Sequence, residues 1–383
     1  MISIKPIECN GYCASCYEAK IRETGFYPRF DFCALKEALK KLIEQLKPDS
    51  EVPCLHGGEP LLIPKNQLEE LLRIVYQRFG RTSIQTNGLL IDDDHIELFK
   101  KYKTAVGISL DGDTPELNYG RLNALNLSPE KRIELTLRVI KNIAKLRDAN
   151  VNISIICLLR RYNALPDKIP ELLRFLFRLR DEFGIFSVRL NEAIVYDEKL
   201  RPQEELTGKE LGQAWIVIYE AMKTDCRFDW RPPLDFVNKL LGKPAVCVLN
   251  QCDVWSTAAE VCIIGDGSLG CCLHGGAAID GIQALRAEKS GVERYEILPQ
   301  IPQDEGGCQG CHFWLYCYGG CPGAGIDNDW RNKTRFCEGY KMLYEHILSD
   351  SIFRLKMIEG KAESIQTGHQ DWHGDRPHGD HSD

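Results

Sequence analysis

Residues 52–88 read VPCLHGGEPLLIPKNQLEELLRIVYQRFGRTSIQTNG. The short apolar run Val52–Leu55 ends in a polar turn, His56-Gly57-Gly58-Glu59-Pro60. Leu68, Leu71, Leu72, Val75 and Phe79 then recur at helical spacing, and a second run, Thr82–Thr86, ends in Asn87-Gly88. A strand, an amphipathic helix and a second strand, each strand closed by turn residues, is one strand–helix–strand unit. Outward from it, Ile2–Ile7, Ala105–Leu110, Val151–Leu158 and Phe186–Leu190 read as further strands, and Leu35, Leu39, Leu42, Ile43 and Leu46 mark another helix.

Repeated units of this kind predict an α/β fold around a parallel sheet, a partial (β/α)6 TIM-like barrel over residues 1–230. Helices are expected near Glu210–Met222 and Pro233–Leu241, with residues 231–246 as a helical bridge. From 247 to 345 periodicity fades and Gly and Cys abound, predicting a second, cysteine-rich domain. Residues 359–383 are polar and carry His369, His373, His378 and His381, which predicts a solvated, disordered tail. Ligands of parallel α/β sheets bind at the C-terminal strand ends. His56–Pro60, Asn87-Gly88 and Asp111-Gly112 all fall there.

The chain has 383 residues, 44% apolar and 27% charged, which suits two soluble domains. A formal net charge of -7 argues against nucleic-acid or anionic-membrane partners. No export signal or membrane-length apolar run is present, so a cytoplasmic location is expected. Seventeen cysteines without an export signal point to metal binding rather than disulfides.

Cys9, Cys13 and Cys16 form a CxxxCxxC run directly after the first strand. Three thiolates on one loop can hold three irons of a [4Fe-4S] cluster and leave the fourth open to a chelating cofactor. A zinc site, the competing reading, usually draws four ligands from paired cysteines. The triplet resembles that of the radical S-adenosylmethionine (SAM) superfamily, although Ser15 stands where an aromatic residue is common. Gly57-Gly58-Glu59-Pro60, Gln85-Thr86-Asn87-Gly88 and Ser109-Leu110-Asp111-Gly112, with Arg121 beyond, resemble further segments of the same group. The resemblance implies cleavage of SAM to a 5′-deoxyadenosyl radical. It implies SAM contacts at Gly57, Gly58, Glu59, Pro60, Gln85, Asn87, Ser109 and Arg121, Glu59 accepting from the methionine ammonium. A low-potential electron donor such as a flavodoxin or ferredoxin follows as a partner.

Further on, Cys252 is followed by Gly267 and Cys272, then by Cys308-x2-Cys311-x5-Cys317-x3-Cys321 and Cys337. This array is similar to the SPASM domain. The resemblance implies two auxiliary [4Fe-4S] clusters, one on Cys247, Cys252, Cys272 and Cys321 and one on Cys308, Cys311, Cys317 and Cys337. Cys262 and Cys271 compete with Cys247. Three clusters in all are therefore expected. The remaining cysteines, Cys33, Cys54, Cys157, Cys226, Cys262 and Cys271, are expected mostly to be buried, with Cys54 and Cys157 facing the barrel interior.

SPASM enzymes act largely on peptides, which implies an oxidoreductase or lyase that modifies a ribosomally made precursor peptide. An anaerobic sulfatase maturase, which converts Cys or Ser to formylglycine, is the alternative. Leu273, followed by His274, stands where that branch has an Asp base. A non-catalytic iron–sulfur carrier would not need the strand-end motifs. The first cluster cysteine comes at position 9, so a separate leader-peptide-binding protein is expected to deliver substrate. Asp111, Glu192 and His274 are candidate acids or bases, with Arg189 and Asp253 behind them.

Overall fold

The computed structural model describes residues 2–5, 8–11, 13, 16, 29–47, 50–121, 127–250, 252, 261–270, 272 and 294–351. Seven parallel strands lie in chain order: β1 (Ile2–Lys5), β2 (Cys54–Leu55), β3 (Thr82–Thr86), β4 (Thr104–Ser109), β5 (Ile153–Leu159), β6 (Ser187–Glu192) and β7 (Asp229–Arg231). β8 (Val261–Ile264) pairs in parallel with the other edge of β1, and β9 (Leu269–Gly270) folds back on β8 antiparallel. The first six strands are those read from the sequence, β3 to the residue. β7 and β8 carry the same sheet past residue 230 and into the cysteine-rich stretch.

The principal helices are α1 (Phe32–Gln45), α2 (Lys65–Phe79), α3 (Asp93–Lys101), α4 (Pro129–Asp148), α5 (Ile169–Phe183), α6 (Gly208–Met222), α7 (Pro233–Leu240) and α8 (Cys337–Ser349). Their starts follow from side chains that accept the free first-turn amides. Asp31 caps α1 through the Ala34 N–H at 3.0 Å, Asp92 caps α3 through His95, and Thr207 with Glu210 forms a reciprocal capping box on α6. Among the described residues no helix is long and apolar enough to cross a membrane.

Burial alternates along the strands, so one sheet face carries Leu55, Ile84, Val106, Ile108, Ile155 and Val188 under the helices. Each such side chain contributes about 1.5–3 kcal/mol through the water it leaves. The opposite, open face carries Ser83, Gln85, Ser109 and Ile156, all half-buried. Cys54 lies on this open face, where the Ser83 hydroxyl donates to its sulfur at 3.4 Å. Cys157 sits one residue out of phase and is buried on the helix side, contrary to its expected interior position. Cys262 is buried, Cys33 and Cys226 are exposed because they lie outside the sheet, and Cys271 lies outside the described residues.

The C-terminal region is bolted to the barrel by α8 on α6. Gly208 and Gly212 face Gly339 so closely that a Cβ on Gly339 would meet the Gly208 carbonyl oxygen at 2.4 Å. On the other edge, a Cβ on Gly267, in the β8–β9 turn, would meet the Ala34 backbone at 2.7 Å.

Candidate active site

The turn after β2 is built around a buried carboxylate. Glu59 Oε1 accepts from the Leu61 amide (3.1 Å) and the Thr86 hydroxyl (2.7 Å), and Oε2 from the Asn87 amide (2.7 Å). Burial pushes the Glu59 pKa up, and these three donors only partly offset it. The side chain thereby braces the turns after β2 and β3 against each other. Gly57 and Gly58, just before it, take φ 107° and 58°, conformations that side-chain-bearing residues rarely adopt. The Glu59 amide donates to the Glu8 carbonyl at 2.7 Å, and the Asn87 amide group donates to Asn10 Oδ1 at 2.7 Å. Two bonds thereby hang the loop bearing Cys9 from the strand ends.

Gln85 lies across Gly107, where a Cβ would meet its Oε1 at 2.0 Å, and donates to the Ser109 hydroxyl at 3.0 Å. The missing side chain on β4 is what lets this pair form on the open face. Beyond Ser109, Asp111 is fully buried and heavily bonded. Its Oδ1 accepts from Arg121 Nε (2.9 Å) and the Leu158 amide (2.8 Å), and Oδ2 from Arg160 Nε (2.9 Å). Arg160 also donates to buried Glu204 at 2.8 Å. Burial opposes the Arg121 charge, but Asp111 and, next, Cys13 raise its pKa above the ordinary value. Both carboxylate oxygens of Asp111 are engaged by these donors, so in this geometry it holds Arg121 and Arg160 in place. Arg121 is spent on Asp111 and lies within electrostatic reach of the Cys13 thiol.

The thiols gather in groups. Burial pushes the Cys9 thiol up to about 12, with the Gly11 amide opposing and Cys13, Glu59 and Cys16 adding to the rise. Cys308 and Cys317 are likewise pushed up to about 12, first by burial; Cys337 and Cys311 add to both, and at Cys317 the Gly319 amide opposes the rise while Cys308 adds to it. Cys321 and Cys272 meet at Tyr196, whose phenol is raised by burial and then by these two thiols. Cys252 is half-buried, and Cys247 begins a one-turn helix, Cys247–Leu249. Among the described residues no three His, Cys, Asp or Glu side chains converge as a single ion requires. Thiols that feel one another in groups of three and four are a donor set an iron–sulfur cluster could use, its cationic irons offsetting the cost of ionising buried thiols.

Glu192, at the end of β6, is buried, and burial raises its pKa; its Oε1 accepts from the Tyr340 hydroxyl at 3.0 Å. It joins barrel to α8. Arg189 stands half-buried in register with Ile156 and Arg231. His274, Asp253 and Leu273 lie outside the described residues, as does the 359–383 tail. Arg160, Glu204, Glu205 and Arg335 were missed by sequence reasoning. Arg160 directly follows the last apolar residue of β5, so the strand-end rule that flagged Asp111 would have found it.

Residues 7–176 match the radical SAM superfamily. The chain is 22% identical to the cysteine-type anaerobic sulfatase-maturating enzyme of Clostridium perfringens, over 90% of this chain and 95% of that one. It is 22% identical to the serine-type enzyme of Bacteroides thetaiotaomicron, over 90% and 89%. Among solved structures, anSMEcpe with bound AdoMet superposes with a TM-score of 0.67 at 18% identity, covering 94% of this chain and 98% of the other. Streptococcus suis SuiB bound to precursor peptide SuiA gives 0.54 at 16% identity, over 87% and 74%. The fold is that of these solved structures, and the radical SAM match lies within it over residues 7–176.

Proposed function

We propose that this chain is a peptide maturase that binds SAM beside a [4Fe-4S] cluster on Cys9, Cys13 and Cys16 and abstracts hydrogen from a ribosomally made precursor peptide. The observation that carries the reading is the Asn10–Asn87 bond, which ties the triplet loop to the strand-end turns. When bound, cluster and SAM supply a 5′-deoxyadenosyl radical. The chain's residues hold that chemistry in place: Gly57 and Gly58 offer close backbone approach, Glu59 and Thr86 lock the two turns together, and Gln85 orients the Ser109 hydroxyl. Arg121, fixed by Asp111, supplies positive charge beside Cys13.

The same reading gives Cys308, Cys311, Cys317 and Cys337 to one auxiliary cluster, and Cys247, Cys252, Cys272 and Cys321 to another. Within it, residues 1–230, 231–246 and 247–345 are a division of labour laid across one continuous sheet. A separate leader-peptide-binding protein and a low-potential flavodoxin or ferredoxin complete the proposed system. The named relatives support a second reading, formylglycine formation on a sulfatase, because they align with nearly the whole chain.

The test is anaerobic reconstitution with SAM and dithionite, with 5′-deoxyadenosine measured by mass spectrometry beside a Cys9/Cys13/Cys16→Ala control. Product that depends on the triplet is expected, and its absence from fully loaded protein overturns the reading. Adding a sulfatase peptide bearing the target Cys or Ser decides between the two: oxidation to formylglycine selects the second.

A further inference from the structure

Arg335 lies between the barrel and the thiol groups with one nitrogen unaccounted for. Its Nε and Nη2 donate to Glu205 at 2.5 and 2.7 Å, and Nη2 reaches the Val195 carbonyl at 3.4 Å. A guanidinium is planar and rigid, so two bonds along one edge fix the third nitrogen in space. That third nitrogen, Nη1, is buried and has no hydrogen-bond partner among the described residues. A buried donor left unmade carries its full desolvation cost, more so when charged. Such an atom calls for an acceptor that the described residues do not supply.

The surroundings indicate which. The Arg335 amide donates to the Ala324 carbonyl at 2.8 Å, and the Ala324 amide to the Cys321 carbonyl at 3.1 Å, so one short turn separates the guanidinium's backbone from that cysteine. Tyr196 feels Cys321, Cys272, Arg335 and Glu205 together, so all four lie within electrostatic reach of one phenol. Glu192 also feels Arg335 and Glu205, but its nearer bond is to Tyr340.

We propose that Arg335 Nη1 donates a hydrogen bond to a sulfur of the auxiliary cluster carried by Cys272 and Cys321, raising that cluster's reduction potential. The inference rests on the auxiliary-cluster reading above. An N–H aimed at a cluster sulfur, with a positive charge behind it, favours the reduced state because reduction adds negative charge. Glu205 is then a positioning residue that holds the fork without competing for Nη1.

The first experiment needs no variant. Full-length protein labelled with 15N-arginine is reconstituted, reduced and examined by pulsed EPR. A 15N coupling on one auxiliary cluster is expected, and its absence from a protein with every cluster loaded and reduced overturns the proposal. Redox titration of R335Q and R335K follows. R335Q should make reduction of one auxiliary cluster about tenfold less favourable, 59 mV for a one-electron couple, and leave the other clusters unmoved. R335K should lose the 15N coupling whether or not it shifts the potential. An unchanged potential in fully loaded R335Q makes Arg335 only the structural partner of Glu205. Iron and sulfide sufficient for the Cys9 triplet alone would instead sink the auxiliary-cluster reading, and this inference with it.

Discussion

The two ends of the molecule hold cysteines at different depths. Cys9, Cys13 and Cys16 are half-buried on a loop hung from strand ends by the Asn10–Asn87 and Glu8–Glu59 bonds. Cys308, Cys317 and Cys321 are buried within tight turns, where the buried Arg294 guanidinium gathers the carbonyls of Gly319, Gly320 and Asn332 at 2.8–3.1 Å. Half-buried thiols suit the proposed cluster that must admit a cofactor, and buried thiols suit the proposed clusters whose coordination is complete.

The largest effect expected is on the open end. Changing Cys9, Cys13 and Cys16 to Ala should abolish 5′-deoxyadenosine formation while iron bound by the C-terminal thiols persists, read by iron analysis of the same sample. Loss of all iron would show that the two ends load as one unit and remove the contrast drawn here.

Next is the ion cluster behind the open end. Asp111→Ala strands Arg121 and Arg160 without their carboxylate, and breaking a buried pair from one side costs about 3–5 kcal/mol. Urea unfolding should register a loss of that size. A loss below about 1 kcal/mol would mean that water or Glu204 replaces Asp111, so the site is looser than its geometry.

The barrel was legible because its signals are local. Thr82–Thr86 and the helix beginning at Lys65 follow from periodicity and from turn residues at their ends, and the strand-end motifs fell where such sheets bind ligands. What the sequence hid are pairings between distant residues. Nothing in the spacing of Glu59 shows that its carboxylate accepts from Thr86 and Asn87, and nothing near Arg335 points 130 residues back to Glu205. β8 was hidden for a related reason. Val261–Ile264 is four residues long, and only pairing with β1 makes it part of the barrel sheet.

The joint between the two ends can be probed at Gly339. An Ala there puts its Cβ 2.4 Å from the Gly208 carbonyl oxygen and 2.9 Å from the Gly212 amide, so α8 must back away from α6. Overpacking of this kind costs about 1–3 kcal/mol. The midpoint of urea unfolding should fall accordingly. If it falls while SAM cleavage persists, the cysteine-rich end supports the barrel without setting its chemistry.

The smallest effect expected is at Glu192, the polar half of the same joint. Its carboxyl is buried and its pKa raised by that burial, with the Tyr340 hydroxyl only partly opposing. A carboxyl whose folded pKa exceeds its unfolded one contributes stability that is fully present below the unfolded pKa and is lost as pH rises through the folded value. Glu192→Gln keeps an oxygen for Tyr340 and removes the ionisation. The variant should therefore differ from the native chain by less than about 1 kcal/mol at low pH and match or exceed its stability toward neutral pH. Unfolding midpoints measured across that range check it. A native chain that gains on the variant as pH rises would show that Arg335, within electrostatic reach of Glu192, stabilises the carboxylate more than burial destabilises it. The joint between barrel and cysteine-rich region would then be ionic rather than a neutral hydrogen bond.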